Sequence, residues 1–231
     1  GSEIADVGSP FDYEEQSLLY CAAHLPDPRA EAHAGAAADR SVWKHFPRSD
    51  IFREIRLEPY LEATADKHPD LKEALYALSR KTDGTRLTMI HGDISPKNIL
   101  LGPDGPMFLD AECACIGDPE FDLAFCLNHF LLKCIWVPVE THAFLGCFDA
   151  MVSAYMKEVD WEDRAKLERR AARLLPGLFL ARVDGKSPVE YITQESDREL
   201  VRSCARELLL APPTRLHEVA DAWRKSRNHE Y

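Results

Sequence analysis

From Asp118 onward the chain is apolar on almost every side of a helix. Asp118-Pro119-Glu120 reads as a helix start: a capping carboxylate, a proline at the first helical position and an acid in the first turn. Phe121, Ala124, Phe125, Leu127, Leu131 and Leu132 follow, and the helix is predicted to run to Lys133 or Trp136. A helix without a broad polar face must be surrounded by other elements. Amphipathic helices predicted over 141–159, 161–182, 196–210 and 214–225 can surround it. Upstream, helices are expected over 13–25, capped by Asp12, and from 68–70 to the Thr82-Asp83-Gly84 stop. The stretch 30–38 is a weak helix or a loop, with Trp43 and Phe46 as packing anchors. Around Pro59, residues 51–65 suit a short helix, an extended piece and a further helical turn.

Ahead of the central helix lies the β-forming part of the chain. Residues 87–90 are an apolar strand; 99–101 and 107–109 flank Gly102-Pro103-Asp104-Gly105 and predict a hairpin; 112–116 can add another short strand. The fold class expected is mainly α with a small β-hairpin insertion. Polar residues stand at the strand ends: Asp93, Asn98 and Asp110. A carboxylate after a strand can accept a proton from a hydroxyl nucleophile. An amide oxygen and a second carboxylate across a hairpin are hard ligands of the kind Mg²⁺ takes alongside phosphate oxygens. Any one of these residues alone reads as a turn former. The ordered set points to phosphoryl transfer.

The overall charge narrows the partners. A net charge of −11 over 231 residues argues against a nucleic-acid surface, and weakly favours cationic or metal-bound partners beside its plain role in solubility. No apolar run is long enough for a membrane helix, and the N-terminus lacks a signal pattern; Gly1-Ser2 reads as a scar of tag removal within a loose leader, 1–10. The seven cysteines, scattered through apolar runs, are expected as buried thiols in a reducing, cytoplasmic setting. Cys113 and Cys115 are expected on one face of a strand, packing in the core rather than binding metal.

His91-Gly92-Asp93, then Asn98, then Asp110-Ala111-Glu112, followed by Gly117-Asp118-Pro119-Glu120-Phe121-Asp122-Leu123-Ala124, resembles the aminoglycoside phosphotransferase and choline kinase superfamily. The resemblance implies the C-terminal lobe of a protein-kinase-like fold over 11–231, with 87–126 as the catalytic segment. It implies ATP as co-substrate, with GTP an open alternative, and Mg²⁺ as cofactor. The acceptor it implies is a small hydroxylated molecule such as an aminoglycoside, an amino alcohol or a sugar. Residue by residue, Asp93 corresponds to the catalytic base, Asn98 and Asp110 to Mg²⁺ ligands, and Glu112 to a third position at the metal. Ser95 is assigned to the nucleotide side, along with Asn98 and Asp110. His91 is expected to pack beneath the loop, and Asp118 and Asp122 to cap a helix and brace the loop from below.

The superfamily's nucleotide lobe is not found. Residues 1–86 hold no glycine-rich turn between strands and no Val-Ala-Ile-Lys-like strand. The chain is therefore expected to bind ATP weakly, to turn over slowly, and to offer a surface for self-association. The other reading is a kinase-like module that binds a ligand without catalysis. The polar stretch 182–187 is a further candidate lining for the acceptor.

Overall fold

The structure is a computed structural model that describes residues 50–102 and 105–228. The helix expected over 13–25, the stretch 30–38, Trp43, Phe46 and Cys21 lie outside the described residues. Helical backbone runs without a break through α1 (Asp50–Phe52), a π-helix (Arg53–Glu62) and α2 (Ala63–Lys67). The extended piece expected around Pro59 is not there. A proline inside an α-helix leaves the carbonyl four residues back without a donor and collides with it. The wider π-turn relieves both: the Ala63 amide reaches back to the Glu58 carbonyl. The Ile55 carbonyl, which Pro59 cannot serve, accepts from Arg56 Nη1 at 2.9 Å. The Pro59 carbonyl itself accepts from the Lys186 amide at 2.8 Å.

After α3 (Lys72–Gly84) come four short strands in two antiparallel pairs rather than one hairpin. β2 (Ile99–Gly102) and β3 (Gly105–Phe108) form the expected hairpin, with Ile99 opposite Phe108. β1 (Thr88–Ile90) pairs with β4 (Cys115–Gly117), Ile90 opposite Cys115. The hairpin is thus a loop thrown out between two paired strands. Cys113 sits in a 3-10 turn, Ala111–Cys113, so it does not share a strand face with Cys115. The described cysteines are buried, and no disulfide joins them.

The central helix is α4 (Pro119–Trp136), and Asp118 caps it by accepting from the Glu120 amide. Phe121 and Phe125 stack at 5.4 Å within the core. α5 (Thr141–Glu158) and α6 (Arg164–Asp184) pack along α4, while α7 (Glu195–Leu210) and α8 (Leu216–Asn228) cover α6. α6 comes close to the π-helix and α3 at Gly177, where a Cβ would stand 3.0 Å from Leu61 and 3.1 Å from Leu78. Trp223 of α8 is fully buried edge-on to Phe179, 5.7 Å between centroids. Among the described residues no helix is long and apolar enough to cross a membrane.

The polar stretch 182–187, at the end of α6, makes structural contacts. Asp184 accepts from Arg202 at 2.9 and 3.0 Å and lies 2.8 Å from His68 Nε2. Arg182 Nη1 donates to Tyr60 Oη at 3.0 Å and to Ser187 Oγ at 3.1 Å.

Candidate active site

Three elements hold the loop that follows β1. From below, Asp122 in the first turn of α4 accepts from the His91 amide at 2.7 Å and the Gly92 amide at 2.8 Å. This is the brace expected of that carboxylate. Burial pushes the Asp122 carboxyl above its ordinary range, and the two backbone amides oppose that shift. His91 lies under the loop as expected: its Nδ1 accepts from the Asp93 amide at 3.2 Å. Gly92 turns the chain with φ +80°, and the place a Cβ would take is 2.7 Å from the Cβ of Cys113. Only glycine meets both conditions.

The loop delivers Asp93, 4% exposed, to the rim of the core. Its Oδ2 accepts from Asn98 Nδ2 at 2.8 Å and lies 2.9 Å from Arg56 Nη2. Arg56 also donates through Nε to the Gly92 carbonyl at 2.7 Å, so one guanidinium holds both the loop backbone and its carboxylate. No hydrogen bond to Asp93 Oδ1 is made among the described residues. A carboxylate fixed through one oxygen has the other available to a hydroxyl.

Asn98 closes a 3-10 turn, Pro96–Asn98, through its amide bond to the Ser95 carbonyl at 2.9 Å. Its side-chain nitrogen is committed to Asp93, to Oδ2 and to the backbone carbonyl at 3.0 Å. That orientation leaves the side-chain oxygen as the outward atom. The Asn98 carbonyl accepts from the Leu109 amide at 2.8 Å, which sets Asp110 immediately beyond Asn98 across the hairpin. Asp110 is exposed, and among the described non-glycine residues it alone has positive φ, 63° with ψ 50°. A strained backbone at a carboxylate is a common mark of a functional position.

The donor set fits a small hard cation. An amide oxygen and one carboxylate side by side are what Mg²⁺ takes when phosphate and water complete its shell. Glu112, two residues on, is exposed. Among the described residues no three His, Cys, Asp or Glu side chains converge as a metal cage. Ser95 is fully buried with its hydroxyl unpaired, beneath the turn rather than on its surface.

Sequence reasoning missed Arg56. It comes from a helix more than thirty positions upstream, and an arginine in an amphipathic helix ordinarily reads as solvated. The one available signal was the nearby Pro59, whose disruption of helical bonding creates work for a neighbouring donor.

No curated protein matches the chain. The model of the phosphotransferase enzyme family matches residues 22–151, more than half of the chain, including the loop, the hairpin and the start of α4. With that match spanning every residue of the candidate site, the chain belongs to the phosphotransferase enzyme family.

Proposed function

We propose that the chain transfers the γ-phosphoryl group of ATP to a hydroxyl of a small acceptor, with Asp93 as the base. The observation that carries this reading is the state of Asp93: buried, gripped through Oδ2 by Asn98 and Arg56, with Oδ1 unbonded among the described residues. The acceptor hydroxyl donates to Oδ1 and loses its proton there as its oxygen forms the new bond to phosphorus. The bond between that phosphorus and the β-γ bridging oxygen breaks, and ADP leaves with the electron pair. Gripping one carboxylate oxygen orients the other, so the hydroxyl is aligned before transfer begins. Asn98 Oδ1 and Asp110 would hold Mg²⁺, which when bound neutralises charge on the phosphate oxygens.

The test is single-turnover transfer from labelled ATP, and in parallel GTP, to a panel of hydroxylated metabolites and antibiotics. Excess enzyme makes slow chemistry visible. Asp93→Asn is expected to lower the transfer rate by about 10²–10⁴-fold while leaving nucleotide binding in place. Nucleotide binding without transfer to any hydroxyl would instead establish a non-catalytic binding module.

A further inference from the structure

Buried polar atoms without partners are rare in folded proteins, because each forfeits the water it gave up. Three of them stand on one wall running away from Asp93. His129 Nε2, Tyr191 Oη and Arg182 Nε are all buried and make no hydrogen bond. The wall is continuous with the active site. The Arg56 guanidinium that grips Asp93 lies 5.8 Å from the centroid of Phe125, and Phe125 meets His129 edge-on at 5.4 Å. At the outer end Trp136, 52% exposed, stacks on Tyr191 at 5.0 Å, and Lys133 Nζ lies 4.5 Å from the centre of the Trp136 ring.

Three cations act on the middle of this wall. His129 is 8% exposed. Burial, and then Arg182, Lys133 and Lys97, hold its imidazole neutral, with its basicity pushed down to about 3. Each charge acting on it is positive. Lys97 belongs to the catalytic turn, so the positive field extends to the reacting end. A protein of net charge −11 places three cations close enough to act on His129, on a wall that also carries buried polar atoms without partners.

We propose that this wall is the acceptor subsite and that it takes a hydroxylated molecule carrying an anionic group, such as a hydroxy acid. Arg182, Lys133 and Tyr191 meet the anion, and the hydroxyl points towards Asp93. The proposal rests on the phosphotransferase reading for the role of Asp93, but anion binding itself does not depend on it. It reverses the weak preference for a cationic acceptor drawn from net charge, because a local field at a site outweighs a screened total.

Three probes of matched size separate the classes: glycerate, glycerol and 3-amino-1,2-propanediol. Their binding to the 231-residue chain is measured by titration without nucleotide, followed by Trp136 fluorescence with Trp136→Phe as the blank. Glycerate is expected to bind at least about tenfold more tightly than glycerol, and the amine no better than glycerol. Tyr191→Phe should weaken glycerate by about threefold or more with an unchanged melting midpoint, Lys133→Gln should weaken it by a similar factor, and Arg224→Gln, on α8, should leave glycerate affinity unchanged. Equal binding of the three probes, preference for the amine, or glycerate affinity unmoved by both site variants would each overturn the subsite. Transfer assays separate the two readings. Phosphorylation of cationic acceptors alone retains the kinase and removes the subsite. Selective glycerate binding with no transfer to any hydroxyl retains the subsite and removes the kinase.

Discussion

Arg56 and Asp93 form an ion pair at 2.9 Å in which both side chains are largely buried, 11% and 5% exposed. The two partners are not equally dependent on it. Arg56 retains the Gly92 and Ile55 carbonyls if Asp93 is neutralised, whereas without Arg56 the carboxylate keeps only Asn98 as a side-chain partner. Arg56→Met is therefore expected to cost about 3–5 kcal/mol, and Asp93→Asn distinctly less. Urea unfolding of both single variants and the double variant measures this. A double variant as unstable as the sum of the singles would show that the pair is not coupled.

Gly92→Ala tests the turn that presents Asp93. An alanine must adopt φ near +80° and enter space held by Cys113 and Phe52. The left-handed backbone costs about 1–2 kcal/mol and the overlap about as much again, so a loss of about 3 kcal/mol is expected. Because the same turn carries the amide bonded to Asp122, transfer should fall together with stability. Full activity in a protein of unchanged melting midpoint would contradict this account of the loop.

Much of this was legible before any coordinates. The apolar helix after Asp118 had to be central, and it is. The bracing role expected of Asp122 came with the resemblance, and the helix start that places it is announced locally by Asp118-Pro119. What stayed hidden depended on contacts distant in sequence. The pairing of β1 with β4 spans the whole hairpin, and nothing in three-residue strands specifies a partner. Arg56 reaches Asp93 from within a π-helix that contains Pro59, across more than thirty positions of sequence. That wall was invisible for the same reason: Lys97, Lys133 and Arg182 are scattered in sequence, and their joint electrostatic effect on His129 is a property of the fold.

Asp110 allows function to be separated from folding. Its positive φ is tolerated by Asn nearly as well as by Asp, but penalised in Ala. Asp110→Asn should therefore change stability by less than about 0.5 kcal/mol, while Asp110→Ala costs about 1–2 kcal/mol. Both remove the charge, so both should weaken Mg²⁺-dependent ATP binding measured by calorimetry. Wild-type binding by Asp110→Asn would exclude the carboxylate as a cation ligand.

The acid cluster beneath α4 predicts the pH dependence of stability. Arg170 serves three carboxylates: Glu162 at 2.7 and 2.9 Å, Asp118 at 2.9 Å, and Glu120 in close contact. One guanidinium cannot compensate three negative charges, two of them buried. Glu120, 2% exposed, is the surplus acid: burial first, and then the charge of Asp118, push its carboxyl up to about 9. Asp118 is raised in the same direction, chiefly by burial. The unfolded chain releases the Glu120 proton near 4.5, the folded chain only near 9. Between those values unfolding releases a proton, so stability is fullest below the lower one and declines as pH rises through the window, by up to about 1.4 kcal/mol per pH unit for one group. Glu120→Gln carries its hydrogen at every pH and should flatten that decline, gaining on the wild type most at alkaline pH. Urea midpoints across the window decide it. A wild-type curve that rises towards pH 9, or a variant with the wild-type slope, would mean that Glu120 is ionised in the fold and that Arg170 compensates all three acids.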